Sequence, residues 1–215
     1  MVFSSLTFLF FFLPACLIVY YAFADRNIRN LILTAFSLLF YAWGEPIWIG
    51  LLIFSATMDY NIGLFIERYR SNPVIAKVGL VASITVNLAL LVSFKYADLI
   101  VETVNALAQT DFGKPGILLP IGISFYTFQT MSYIVDVYRG EVKAQKKLLN
   151  FMLFVVCFHQ LVAGPIVRYA HIAKEIEERN FNLDEFSQGV TRFTKGLFKK
   201  VFFANVAGEL ANQFL

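Results

Sequence analysis

Two histidines, two glutamines and a short ladder of tyrosine and acidic side chains are the residues of this chain best suited to chemistry, and nearly all lie between Leu118 and Tyr169. Imidazole is the usual general base near neutral pH and could take a proton from an acceptor hydroxyl. His171 follows Arg168, Tyr169 and Ala170 in a basic stretch and reads as a solvated loop residue, whereas His159 sits inside an apolar run. With no nucleophile or acidic orienter recognisable beside it, His159 reads first as a hydrogen-bonded structural residue and only second as a catalytic candidate.

Gly122, Tyr126, Gln129, Tyr133 and Asp136 fall within roughly a quarter of a helix circumference at about 100° per residue. One wall of that helix is therefore polar. Two readings stay open: the wall lines a passage and touches substrate, or Gln129 and the tyrosines bond neighbouring helices while Asp136 pairs with Arg139 three residues on. Asp59, flanked by Tyr60 and Asn61, lies inside another apolar run, where an unpaired carboxylate costs about 2.5–3.5 kcal/mol on insertion scales. It needs a partner or a proton. Asn87 is a weaker case of the same kind. Neither a Gly-rich phosphate loop, a cysteine cluster nor metal-binding His spacing occurs, so no bound cofactor, metal or nucleic-acid partner is expected. Cys16 and Cys157 read as small hydrophobes.

The elements that must hold these groups are helices in lipid. Hydrophobic residues make up 58% of the 215 and charged residues 15%, and mean hydropathy is +0.65, outside the balance of a water-soluble domain. The expected fold is all-α: a polytopic transmembrane bundle forming a single membrane-embedded domain. Runs near 4–23, 28–43, 47–66, 74–94, 117–137 and 201–215 read as spans. Ala22-Phe23-Ala24 resembles a signal-peptidase site, but no basic residue precedes the first run, which is kept as an anchor.

With the N-terminus outside, 16 of the 18 Lys and Arg lie in or at the edge of inner segments, leaving Lys95 and Lys114 outside. The run 148–167 does not fit this scheme, because basic clusters flank it on both sides. A re-entrant hairpin, broken at Gly164-Pro165 and returning to the inner face, removes the conflict. Asn182 followed by Glu185 predicts a helix start. Phe186, Val190, Phe193 and Leu197 then mark one face of a basic amphipathic helix, which either lies along the inner leaflet or packs on the bundle.

Several segments, taken together, carry a resemblance. They are FSSLTFLFFFLP from Phe3 to Pro14, SLLFYAWG from Ser37, LPIGISFYTFQ from Leu119, SYIVDVYR from Ser132, QLVAGPIVRY from Gln160 and GLFKK from Gly196. In order and over nearly the whole chain, they resemble the membrane-bound O-acyltransferase family, in its bacterial, alginate-type branch.

That resemblance implies transfer of an acetyl group from a cytoplasmic thioester, such as acetyl-CoA, through a tunnel open to both faces of the bacterial inner membrane. It further implies relay by a periplasmic acetyl-carrying or acetyltransferase partner to an exported polysaccharide such as alginate. Tyr126, Gln129, Tyr133, Asp136 and Gln160 would line the path, and Arg168, Lys199 and Lys200 would suit the donor's phosphates. The positive-inside rule alone also produces such a basic surface. The family's catalytic histidine stands in a Trp-His-Gly-like motif in a later segment, expected beyond residue 215. Where this chain has His159 the family is expected to have proline, so the histidine role is not carried onto it. The chain thus reads as an N-terminal half, inactive alone. Rival readings are an ion- or proton-coupled transporter subunit using Asp59, Gln129 and Asp136, and a scaffold that docks the acetyl carrier.

Overall fold

A computed structural model describes residues 3–161, 165–179 and 181–214. Gly164, where the hairpin break was placed, and Leu215, the end of the last run, lie outside the described residues. The described part is an all-α membrane protein, with no strand among the described residues.

The larger of two compact units is Phe23–Glu177. It contains α2 (Arg26–Gly44), α3 (Ile49–Arg68), α4 (Pro73–Lys95), α5 (Ala97–Ala108), α6 (Ile123–Arg139), α7 (Leu148–Val156) and α8 (Tyr169–Glu177). Helices α3 and α4 are long and apolar enough to cross a membrane. Local chemistry sets their boundaries. The Asp25 carboxylate caps α2 by accepting from the Ile28 N–H at 2.9 Å, and Asn72 caps α4 ahead of Pro73 by accepting from Val74 and Ile75.

Helix α6 starts at Ile123, six residues later than the apolar run beginning at 117 suggests. Pro120 and Gly122 hold the preceding chain out of the helix. Gly122 has φ +79°, and a Cβ there would stand 3.0 Å from the Leu161 carbonyl oxygen, so glycine meets both demands. At the other end Gly140, φ +82°, lets the Gly140 and Glu141 N–H groups bond back to Val137 and Asp136 carbonyls at 3.1 and 2.9 Å. This is a Schellman closure.

Helices α3, α4 and α6 pack on one another, and α7 packs against α2 and α3. Their shared core holds Leu52, Ala56, Tyr133, Ile134, Val137, Phe151, Phe154 and Val155, all buried. Between α3 and α6 the approach is close at Gly63, where a Cβ would come within 2.9 Å of the Tyr133 ring. Helix α7 has only nine residues, a rise of about 14 Å at about 1.5 Å per residue, under half of a hydrocarbon core.

Two helices of this unit were not foreseen. Helix α5 follows α4 directly, and its return loop is tied to it. Asn105 bonds Phe112 and Thr110, Asp98 accepts from the Gly116 N–H at 3.0 Å, and Lys114 pairs with Glu102 at 2.5 Å. Helix α8 carries His171, exposed on a helix rather than in a loop.

The second unit joins Met1–Ala22 with Glu178–Leu215. A π-helical segment, Phe8–Phe12, runs into α1 (Leu13–Ala22). Asn182 caps α9 (Leu183–Phe198) as anticipated, but by accepting from the Asp184 N–H at 3.0 Å. Beyond Phe198 the helix does not break near Val201, where a new run was expected to begin. It continues through a π-helical segment, Lys199–Ala204, into α10 (Asn205–Phe214), because the backbone stays in the right-handed helical region at both junctions.

Candidate functional site: a polar seam along α6

Three of the four polar side chains on the α6 wall find partners inside the larger unit. The Gln129 amide donates to the Phe154 carbonyl at 2.8 Å and to the Gln160 Oε1 at 3.2 Å. This joins α6 to the end of α7 and to the turn that follows it. Tyr133, fully buried against Phe151 and Tyr169, accepts at its hydroxyl from the Gln145 N–H at 3.0 Å. Asp136 is buried and takes a two-point contact from Arg168 through Nε at 3.2 Å and through a second, shorter bond from the guanidinium.

That pairing replaces the local one. Asp136 is met by Arg168, 32 residues away, and not by Arg139, which points to Glu141 at 3.7 Å. Arg168 also donates to Glu141 at 2.8 Å. Hydrogen bonding to the Asp136 carboxylate, reinforced by its charge and by Glu141, raises the Arg168 pKa above its ordinary value and keeps it charged. With two carboxylates on one guanidinium, little free positive charge remains there for a phosphate.

Tyr126 is the fourth member of the wall. It is 2% exposed, yet its hydroxyl has no hydrogen-bond partner among the described residues. The same is true of Tyr41 on α2.

The turn after α7 is pinned by Ser37, whose hydroxyl accepts from the Phe158 N–H at 3.1 Å. His159 is exposed at this turn, with Nδ1 3.2 Å from the Cys157 sulfur. Lys199 and Lys200 belong to the second unit, where both are exposed at the start of its π-helical segment.

Asp59 sits apart from the α6 seam. It is fully buried between α3 and α4, accepting from the Ser83 hydroxyl at 2.6 Å and from the Asn87 amide at 2.9 and 3.1 Å, while Asn87 Oδ1 accepts from Ser55 at 3.3 Å. No cation pairs with it among the described residues. Tyr60 and Asn61, its neighbours in sequence, point elsewhere, to the Lys146 and Thr57 carbonyls.

The residue missed by sequence reading is Gln145. It lies in a stretch that looks like a basic, solvated linker, yet it is buried. Its side chain donates to the Tyr169 hydroxyl at 2.8 Å and to Glu177 at 3.0 Å, and accepts from the Lys147 N–H at 2.9 Å. Burial raises the Tyr169 pKa. The only local signal was the placement of Ala144 and Gln145 between lysines.

No protein-family model matches this chain, and no solved structure is significantly similar. Among curated proteins the chain is 43% identical over 99% of its length to a probable alginate O-acetylase of Pseudomonas syringae, covering 42% of that protein. It is 42% identical over 99% to the probable alginate O-acetylase of Pseudomonas aeruginosa, again covering 42%. A peptidoglycan O-acetyltransferase of Helicobacter pylori is 28% identical over 99% of the chain, which covers 46% of it. The chain thus spans less than half the length of these relatives. Along 99% of its length, then, the chain is similar to part of proteins named as alginate O-acetylases, in line with the resemblance read in its motifs.

Proposed function

We propose that this chain forms the donor-side part of an O-acetyltransferase that moves an acetyl group from a cytoplasmic thioester, such as acetyl-CoA, across the inner membrane to an exported polysaccharide. The observation that carries this reading is the match along 99% of the chain to proteins named as O-acetylases. The motifs that carry the resemblance supply the seam: LPIGISFYTFQ holds Gly122, Tyr126 and Gln129, and the stretch from Gln160 holds that residue and Arg168.

In this reading the chain is multi-pass with its N-terminus outside, which puts the basic ends of α6 and α8 on the donor face. The short α7, ending at Val156 and followed by a turn, supports an element that enters the bilayer from the inner side and returns. Gln129, held by the Phe154 carbonyl and Gln160, keeps that element against α6 so that irregular backbone at depth is buried in protein. Acetyl relay would pass to a periplasmic acetyltransferase partner, with alginate or a similar polymer as acceptor. A transport role draws less support, since Asp59, Gln129 and Asp136 are each already engaged by fixed partners.

The test is a segment exchange. These 215 residues replace the matching part of the Pseudomonas syringae protein, and acetyl content of the exported polysaccharide is measured. Acetylation retained at a substantial fraction of the parent's level is the expected result. A stably inserted chimera that exports unacetylated polymer would overturn the proposal.

A further inference from the structure

Helix α9 has no buried residue: Leu197 is half-buried and every other position is exposed. Its first turn is held within the second unit, where Phe186 meets the Tyr21 ring at 6.0 Å. Past that turn Val190, Phe193 and Leu197 continue the apolar stripe at three- and four-residue spacing. Arg192, Lys195 and Lys199 recur at the same spacing on the opposite side, with Lys200 at the flank of the stripe. None of these four cations pairs with a carboxylate among the described residues. The helix's own acids, Asp184 and Glu185, stand in its first turn, where the N-terminal end of the helix dipole already favours them. The helix thus carries an apolar stripe beside positive charge that nothing on it neutralises.

We propose that α9 lies in the plane of the bilayer surface and docks on anionic lipid, with Val190, Phe193 and Leu197 in the acyl boundary and Arg192, Lys195, Lys199 and Lys200 among phosphate headgroups. Charge complementarity decides the occupant. A protein groove would have to supply both an apolar floor and carboxylates for four cations, whereas an anionic leaflet presents acyl chain and negative charge at adjoining depths. The row Arg192, Lys195 and Lys199 also excludes a crossing of the core through lipid, which would need apolar residues on all sides. Long basic side chains reach the headgroups from such a helix while their stems lie along its apolar flank. In the orientation proposed above the lipid is that of the inner leaflet. The inference itself uses only the residues of this helix and stands apart from the acetyl-transfer reading.

The experiment uses the 215-residue chain in nanodiscs of phosphatidylcholine alone or mixed with phosphatidylglycerol. With p-benzoylphenylalanine in place of Phe193, irradiation is expected to give adducts with lipid acyl chains, read by mass spectrometry. Adducts with another segment or a second copy of the chain, or no adduct at all, would overturn the proposal. In the unmodified chain, hydrogen exchange of the 183–198 amides is expected to be about fivefold or more slower with the anionic lipid, since each cation near the leaflet is worth about fivefold in partition. High salt is expected to erase most of that difference. Equal exchange in the two lipids at low salt would overturn the anionic partner. Arg192→Gln combined with Lys195→Gln should remove the difference, with exchange in α3 and α4 unchanged as the check on folding. A variant that keeps the full difference would overturn the role given to these cations.

Discussion

Asp59 and Asp136 are both buried carboxylates on helices that touch, and they are stabilised in opposite ways. Asp59, in the middle of α3, is surrounded by neutral donors from α4. Asp136, in the last turn of α6, faces a guanidinium that is itself 42% exposed. The difference follows from depth. Near a helix end a long cation can reach a carboxylate while its own head stays partly hydrated, whereas at mid-helix a cation would have to be desolvated as well. Short neutral side chains then do the work. Gly63, one turn past Asp59, receives the ring of Tyr133, one turn before Asp136, so the two regions are joined by a close approach of α3 and α6.

This contrast can be broken by mutation. The largest effect is expected from Asn87→Ala, which removes both amide bonds to Asp59 and the acceptor for Ser55. Leaving a buried carboxyl under-bonded costs about 3 kcal/mol, read as a lower denaturation midpoint in detergent or nanodiscs. Gly63→Ala should follow at about 2 kcal/mol, because the Tyr133 ring must shift to admit a methyl group. A loss at Gly63 well under that value would mean that the two regions are not tightly joined.

Smaller changes sharpen the comparison. Asp59→Asn keeps an acceptor for Ser83 but turns an amide donor toward the Asn87 amide, and should cost about 1–2 kcal/mol, less than Asn87→Ala. If it instead unfolds the protein, the neutral-donor account of Asp59 fails. The least change is expected from salt. The destabilisation caused by Arg168→Gln should shrink between low and high NaCl, because the exposed guanidinium is screened, while that of Asn87→Ala stays constant. Equal salt response in both would remove the distinction.

Much of the helical framework was legible because its signals are local. Apolar runs marked α3 and α4, Asn182 marked a helix start, and the 100° periodicity exposed the polar face of α6. What escaped depends on long-range contact. Nothing near Asp136 says that its partner is Arg168 and not Arg139, since only the packing of α8 against α6 brings them together. Gln145 was hidden by the lysines around it, which are charged because they face outward while the glutamine between them turns in. Helix α5 did carry an amphipathic pattern, with Leu99, Ile100, Val104 and Leu107 on its apolar side. Its position between two long apolar runs made it read as connecting loop. The unpaired hydroxyls of Tyr41 and Tyr126 have no sequence signature at all.

The connection from α6 to α7 has a practical consequence. Three surrounding elements, α3, α6 and α8, grip residues 144–146: Glu67 takes the Ala144 N–H, Tyr60 the Lys146 carbonyl, Tyr133 the Gln145 N–H, and Tyr169 and Glu177 the Gln145 amide. Such a segment behaves as a strut. Reporter fusions, epitope tags or protease sites, which experimenters customarily place in hydrophilic connections to map membrane topology, would wreck the fold if inserted there. A position with more room for such a probe is Gly113, which is exposed and has nothing within 4 Å of an added Cβ.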